Sequence, residues 1–494
     1  MSTSAASPDS APPKQPTRSG LDRFFHITER GSTIPDEIRG GVVTFFAMAY
    51  IIILNPLILG TGADVNGDVL GTSRVAAVTA FAAGVMTIAF GVIAKYPFGI
   101  AAGLGINTLV AVTFVATEGL TWPEAMGLVV IDGIIIVLLA VTGFREAVFN
   151  SIPASLKASI GVGIGLFIAM IGLVDSGFVR RVPDAAGTTV PVGLGINGSI
   201  ATWPTLVFVL GLLICGGLVV RKVRGGLFIG IVINTIIAVV IEALTKSGAS
   251  VENGEPNPKG WSLSVPTLPD SVGGLPDLSL LGAVDLLGAF FRVGVLAASL
   301  LVFTLVLANF FDAMGTMTAL GKQANLMDDE DRLPNLKTAL VVEGAGAVVG
   351  GAASASSNTV FVDSASGIAD GARTGLANVV TGLLFLAAMF LTPLYEIVPI
   401  EAAAPVLVIV GAMMMSQVKD INFSDFSIAL PAFLTIVVMP FTYSIANGIG
   451  VGFVTYVVMS VIAGRAKKVH PLLYVVAALF VVYFAVDPIL GAIN

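Results

Sequence analysis

Two stretches, Gly99-Ile-Ala-Ala-Gly-Leu-Gly-Ile-Asn107 and Ser354-Ala-Ser-Ser-Asn-Thr-Val-Phe-Val-Asp363, decide the fold. Each is a Gly- or Ser-rich run that reads as extended backbone. Each leads into an apolar segment, Thr108–Ala116 or Ser364–Ala369, too short to cross a membrane alone. A helix needs about 20 residues to span roughly 30 Å of hydrocarbon. Extended backbone at that depth is tolerated only where protein or a water-filled cavity satisfies its polar groups. Two interrupted segments at corresponding places in two halves of a chain therefore point to paired half-helices around a central ligand site.

Outward from these stretches the composition agrees. Of 494 residues, 55 % are hydrophobic and 12 % charged, and mean hydropathy is +0.94. An ordinary globular protein is roughly 25 % charged, so many of these apolar side chains must face lipid. The 56 glycines suit helices that pack through small surfaces in a bilayer. Besides the two short segments, apolar runs predict helices over Gly40–Leu59, Arg74–Ala94, Glu124–Thr142, Ala158–Val174, Pro204–Val220, Gly226–Ile241, Leu296–Leu320, Thr338–Gly351, Leu376–Leu391, Ala402–Met415, Ser427–Met439 and Asn447–Ile462. The fold class is an all-α polytopic membrane protein of about fourteen segments.

Basic residues test that count, because cytoplasmic loops collect Lys and Arg. With the amino terminus inside, Arg23, Arg30, Arg39, Lys95, Arg145, Arg221, Lys222, Arg224, Lys322, Arg332, Lys337, Arg373, Lys419, Arg465, Lys467 and Lys468 all fall on the inner side. The expected division is a disordered cytoplasmic tail (1–36), a first repeat (37–243), a long extracytoplasmic loop (244–294), a second repeat (295–464) and a C-terminal apolar segment (465–494) whose placement stays open. About seven segments per half is an odd number, so the second half enters the membrane upside down, as an inverted repeat. The halves echo each other weakly: Pro153 and Gly165 match Pro399 and Gly411 in spacing, and Gly225–Gly226 resembles Gly448–Ile449–Gly450.

The net charge of -7 and the lack of a basic stripe argue against nucleic-acid binding. The single cysteine, Cys215, excludes an intrachain disulfide and reads as packing. His26 and His470 lie outside the apolar segments, and no His, Cys or carboxylate spacing suggests a metal site. No GxxxxGK[ST] loop is present, which removes ATP as the drive and leaves an ion gradient. No cofactor is expected.

A carboxylate within a membrane span is costly unless paired, protonated or hydrated, and marks function by default. Asp312, in Asn309-Phe-Phe-Asp-Ala-Met-Gly-Thr316, shares a helix face with Thr316, and Asp363 closes the second extended stretch. Burial disfavours the charged form of a carboxyl group, so Asp312 and Asp363 are the candidates to carry a coupled proton. Each also has a structural reading: Asp312 as a buried acid tied to a neighbour, Asp363 as the N-cap of the helix opening at Ser364. Asn107 reads equally as a ligand contact or a cap. Asp132 and Glu343 read as glue between helices, and Asp370 with Arg373, at i,i+3, as a structural or gating ion pair. Half-helix N-termini add backbone N–H groups and positive dipole ends aimed at the ligand.

Thr44-Phe-Phe-Ala-Met-Ala-Tyr-Ile-Ile-Ile-Leu-Asn-Pro56, Ile152-Pro-Ala-Ser-Leu-Lys157 with Gly165-Leu-Phe-Ile-Ala-Met-Ile-Gly172, Phe311-Asp-Ala-Met-Gly-Thr316, Gly371-Ala-Arg-Thr-Gly375 and Met439-Pro-Phe-Thr-Tyr-Ser-Ile-Ala-Asn-Gly448 resemble the azaguanine-resistance-like branch of the nucleobase-cation symporters. The likeness runs from about Phe24 to about Gly464. It implies a seven-plus-seven inverted repeat, with a core domain (spans 1–4 and 8–11) moving against a gate domain (spans 5–7 and 12–14), often dimeric, that carries purine bases with protons. Carried over by position, Asp312, Thr316 and Asp363 contact the base, with Ser364 beside them, and Ala49, Asn107 and Thr108 line the same pocket. The family usually has Glu at Asp363 and often an aromatic residue at Leu109. The shorter acid and the missing stacking face bear on which base fits. An oxopurine, whose N1–H suits a carboxylate, is expected over adenine. An anion carrier of related architecture is the alternative, disfavoured by two acids at the ligand, and an intramembrane enzyme with an Asp312–Asp363 dyad ranks below it.

Overall fold

A computed structural model describes residues 19–144, 152–181, 192–196, 198–252, 255–262, 264–269, 271–328, 333–395 and 397–493. Helix α1 (Ile34–Met48) starts where the Thr33 hydroxyl accepts the Asp36 N–H and Pro35 fills the first turn. After a turn at Ala49 and Tyr50 the chain continues as α2 (Ile51–Leu59), in which Pro56 cannot donate back to Ile52 and loosens the ladder next to the kink. Then come α3 (Thr72–Ile93), α4 (Leu104–Thr108, running on to Thr117 as a π-helix), α5 (Trp122–Val141), α6 (Ala154–Asp175), α7 (Trp203–Val220) and α8 (Gly226–Thr245). The rest comprises α9 (Val295–Gln323), α10 (Leu336–Ala352), α11 (Ser364–Ala369), α12 (Gly375–Ala388), α13 (Ile400–Met414), α14 (Phe426–Phe441), α15 (Ile445–Ile462) and α16 (Pro471–Ile493). Every predicted helix is present. Seven helical stretches among the described residues are long and apolar enough to cross a membrane.

Small residues set how these helices approach. Where α3 crosses α12, a Cβ on Gly91 or on Gly375 would run into the other's carbonyl oxygen, and Gly84 and Gly382 repeat the contact two turns away. Where α5 meets α10, a Cβ on Gly133 would lie 2.5 Å from the Val348 nitrogen and one on Gly351 2.9 Å from the Val130 nitrogen. Gly165 of α6 and Gly411 of α13, the two positions that echo each other in sequence, touch backbone to backbone: a Cβ on Gly165 would stand 2.8 Å from the Gly411 carbonyl oxygen. Dispersion between close backbones thus replaces the hydrophobic drive that lipid cannot supply. Cys215 is buried and unbonded, as packing.

Two expectations change. Residues 1–18 of the expected tail lie outside the described residues, but the chain is folded from Ser19 onward, because Phe25 and Ile27 bury themselves against Leu376. A short helix, Gly20–Phe25, is capped by the Ser19 side chain there. The C-terminal apolar segment is the helix α16. Its Phe480 packs on Phe453 of α15 and on Phe303 of α9, with centroids 6.1 and 5.5 Å away. Arg145 and Arg332, counted among the inner charges, lie outside the described residues.

Candidate functional site

The two deciding stretches meet. β1 (Ile100–Ala102) and β2 (Asn358–Val360) pair antiparallel, with Ile100 opposite Val360 and Ala102 opposite Asn358. The pairing runs past both ends: the Phe361 N–H donates to Gly99 O and the Gly103 N–H to Ser357 O, each at 2.9 Å. Extended backbone inside an apolar bundle must find partners, and each stretch is the other's partner. Thr87 of α3 reinforces β1, donating to Ile100 O at 2.8 Å and accepting its N–H at 2.9 Å. Because the ribbon is antiparallel, α4 and α11 leave it in opposite directions, with both N-termini turned toward the crossing.

Those two N-termini differ. In α4 the Asn107 N–H is the first to bond within the helix, to Gly103 O, and the N–H groups of Leu104, Gly105 and Ile106 have no partner among the described residues, as in the first turn of any helix. In α11 the Ser364, Ala365 and Ser366 N–H groups each bond three residues back, to Phe361, Val362 and Asp363. That turn is wound tightly and its donors are used up. What it presents is Asp363. Asp363 does not cap the helix with its side chain; its Oδ2 accepts a 2.9 Å hydrogen bond from the Tyr50 hydroxyl at the kink between α1 and α2. Tyr50 is buried, whereas Asp363 keeps part of its surface exposed.

The other expected contacts divide. Asn107 is buried and donates from Nδ2 to Asn55 Oδ1 at 2.6 Å, while Asn55 donates to Thr79 Oγ1 and Ala355 O. Asn107 Oδ1 is buried with no partner among the described residues. The Thr108 hydroxyl donates to Leu104 O within its own helix. Ser364, expected at the ligand, is fully buried; its hydroxyl donates to Phe361 O at 2.7 Å and accepts the Gly99 N–H at 2.9 Å, tying the crossing together. Ala49 is buried at the kink beside Tyr50. Asp312 lies on α9 one turn from the half-buried Thr316, and its side chain lies outside the described residues. Over the α4 N-terminus, Gly105 faces Ile445 of α15 and Ile164 of α6, to which a Cβ would approach within 3.4 and 3.5 Å.

Asp132 accepts from Asn309 Nδ2, which also donates to the Ser357 hydroxyl at 2.8 Å, so α5 and α9 are bonded to the second extended stretch. Glu343 is buried on α10. The Asp370–Arg373 pair is corrected. The chain leaves helical geometry at Gly371, with φ at +112°, so i,i+3 no longer brings the two together. Asp370 instead bonds Arg39 Nε at 2.7 Å and pairs with Arg224 from the α7–α8 loop. The Arg373 guanidinium donates to Ile368 O and Ala372 O.

Sequence reasoning missed Tyr50, Asn55, Asn309, Ser357 and Arg224 as working residues. Asn55, a lone amide in Ile51-Ile-Ile-Leu-Asn55, carried a readable signal. Arg224 carried none, since its partner is distant in the chain.

Half-helices crossed through a two-stranded ribbon, with a carboxylate at one end and N–H groups unpaired among the described residues at the other, define a crossed half-helix fold built for a membrane. The chain belongs to the Permease family (Xan_ur_permease), which it matches over residues 35–451. It is 36 % identical over 471 residues to the guanine/hypoxanthine permease PbuG of Bacillus subtilis, covering 94 % of this chain and 99 % of that one. It is 34 % identical over 461 residues to the adenine permease AdeP of Escherichia coli, covering 93 % and 95 %. In fold it is similar to the transmembrane domain of the cyanobacterial bicarbonate transporter BicA, with a TM-score of 0.56 at 16 % identity, covering 87 % and 97 %. The murine Slc26a9 anion transporter also has a TM-score of 0.56, at 12 % identity, covering 92 % and 74 %. The protein is a multi-pass membrane transporter and not an enzyme.

Proposed function

We propose that this permease imports purine nucleobases by proton symport with alternating access. The observation that carries the site is the Asp363 carboxylate, held by Tyr50, across the ribbon from the unsatisfied N–H groups of α4. A purine base offers N–H donors and carbonyl or ring-nitrogen acceptors on its edges, the complement of that pair. The relatives named as guanine/hypoxanthine and adenine permeases support the substrate class. Guanine and hypoxanthine are preferred over adenine, because their N1–H donates to a carboxylate. Asp312 and Asp363 are the groups that take up and release the proton, with Thr316 beside Asp312.

The architecture we propose is a seven-plus-seven inverted repeat with a cytoplasmic amino terminus in the cell membrane, assembled as a homodimer. Contact between the echoing positions Gly165 and Gly411 supports an axis relating the halves. A core domain (α1–α5, α9–α12) then moves against a gate domain (α6–α8, α13–α15). Asp370 joins the two at the inner end through Arg224, and the rings of Phe46 and Phe228 meet there 6.1 Å apart. Outward opening keeps that link; inward opening breaks it.

The test is uptake of radiolabelled hypoxanthine by cells lacking their own purine permeases, expressing the parent, Asp363→Asn or Asp312→Asn, with and without a protonophore. Protonophore-sensitive uptake by the parent, lost in either variant at normal membrane expression, is expected. No uptake of hypoxanthine, guanine or adenine by the well-expressed parent overturns the reading, and better competition by adenine than by guanine overturns the base preference.

A further inference from the structure

An apolar groove lies away from the ribbon, between α5, α9 and α16. It encloses about 460 Å³ and is walled by Ile131, Ile135, Leu139, Phe310, Val475 and Leu479 among others. Among the described residues its wall has one polar side chain, Ser299, whose hydroxyl donates to Val295 O, so the lining is almost wholly apolar. From Ile131 to Leu139 it follows α5 for about 12 Å at 1.5 Å per residue, close to the depth of one leaflet, half of roughly 30 Å.

One end of the groove is basic. Leu472 lines it at the start of α16, and the turn before that helix carries Lys467, Lys468 and His470, all exposed. A hydrogen bond from the Tyr474 hydroxyl to Ala466 O, 2.9 Å long, folds this turn against the first turns of α16. Arg465 is taken by Asp425; Lys467 and Lys468 make no ion pair among the described residues. Exposed ammonium groups at the end of a lipid-deep apolar groove complement an anionic phospholipid, with its acyl chain along the groove and its phosphate at the lysines.

We propose that this groove is a binding site for an anionic phospholipid, held between the α5–α9 helices and α16. Because Phe480 joins α16 both to α15 and to α9, the lipid completes the packing of a helix that bridges the bundle.

The full-length protein in detergent is titrated with phosphatidylglycerol or with phosphatidylcholine of the same acyl chains, and retained lipid is read by native mass spectrometry alongside thermal unfolding. Phosphatidylglycerol is expected to be retained preferentially and to raise Tm. Lys467→Gln and Lys468→Gln are each expected to lower that preference about fivefold without changing phosphatidylcholine retention. Val475→Trp, which fills the groove, is expected to lower retention of both lipids. Equal retention of the two lipids by the parent, or a preference unchanged in the double lysine variant, overturns the proposal. So does crosslinking of two copies through a cysteine placed at Val475 in a Cys215→Ser background, which makes the groove a protein interface.

Discussion

The two half-helices hold corresponding places in the two halves of the chain and behave as opposites. Gly99–Thr117 is apolar, enters its helix through glycines, and leaves the first-turn N–H groups of α4 unspent. Ser354–Ala369 is rich in hydroxyls, winds its first turn tightly enough to consume its own donors, and contributes a carboxylate instead. In the site proposed above, one half therefore donates to the ligand and the other accepts from it. A planar base with both kinds of group on its edge is satisfied by neither half alone, and buried polar groups left unmatched are costly.

That contrast can be broken at either end. The largest effect is expected from Gly105→Val, which plants a branched side chain against Ile445 and Ile164 over the α4 donors; uptake should fall at least ~100-fold while the protein still reaches the membrane. Wild-type uptake would show that the α4 N-terminus does not face the substrate. Tyr50→Phe removes one bond to the Asp363 carboxylate, worth about 1.5–3 kcal/mol for a charged partner. The expected result is a KM for hypoxanthine raised on the order of 10-fold or more, and an unchanged KM would detach Tyr50 from the site.

Asn55→Leu separates anchoring from binding. It strands the Asn107 amide and the Ala355 carbonyl, at about 1–3 kcal/mol for an unsatisfied buried group. Purified protein should unfold at lower temperature while the KM of what remains folded moves little. A KM shift with unchanged Tm would reverse that assignment.

The smallest effect lies outside both halves. The Arg465 guanidinium and the Ser427 hydroxyl hold the Asp425 carboxyl down at about 2. The folded-state value lies below the ordinary ~3.9 of an Asp. The contribution is therefore fully present above the ordinary value and lost as pH falls through about 2. Because the pair is exposed, only a slight Tm decrease is expected on acidification below about pH 4. It should vanish in Asp425→Asn.

Of the site, the residue types were legible and most of the contacts were not. Asp363 could be picked out as a candidate because an acid within an apolar span marks function by default, beside its reading as an N-cap. Its bond to Tyr50 joins positions far apart in the chain, and no local pattern encodes such a pairing. Asp370 shows the same limit: helical spacing suggested Arg373, but the positive φ at Gly371 ends the helix and hands the acid to Arg39 and Arg224. The bonds of Ser364 to Phe361 O and from the Gly99 N–H were not legible for a related reason, since a hydroxyl at a helix start serves the backbone as readily as a ligand.

By itself the sequence determined that the chain lives in lipid, where its helices lie, and which two stretches interrupt them, because the bilayer imposes length and apolarity on each segment independently. Only the tertiary structure decided that the interruptions pair with each other, which half-helix keeps its N–H groups, and which arginine meets Asp370. Those outcomes depend on backbone hydrogen bonds between distant residues, whose partners are chosen by packing and not by neighbours in the chain.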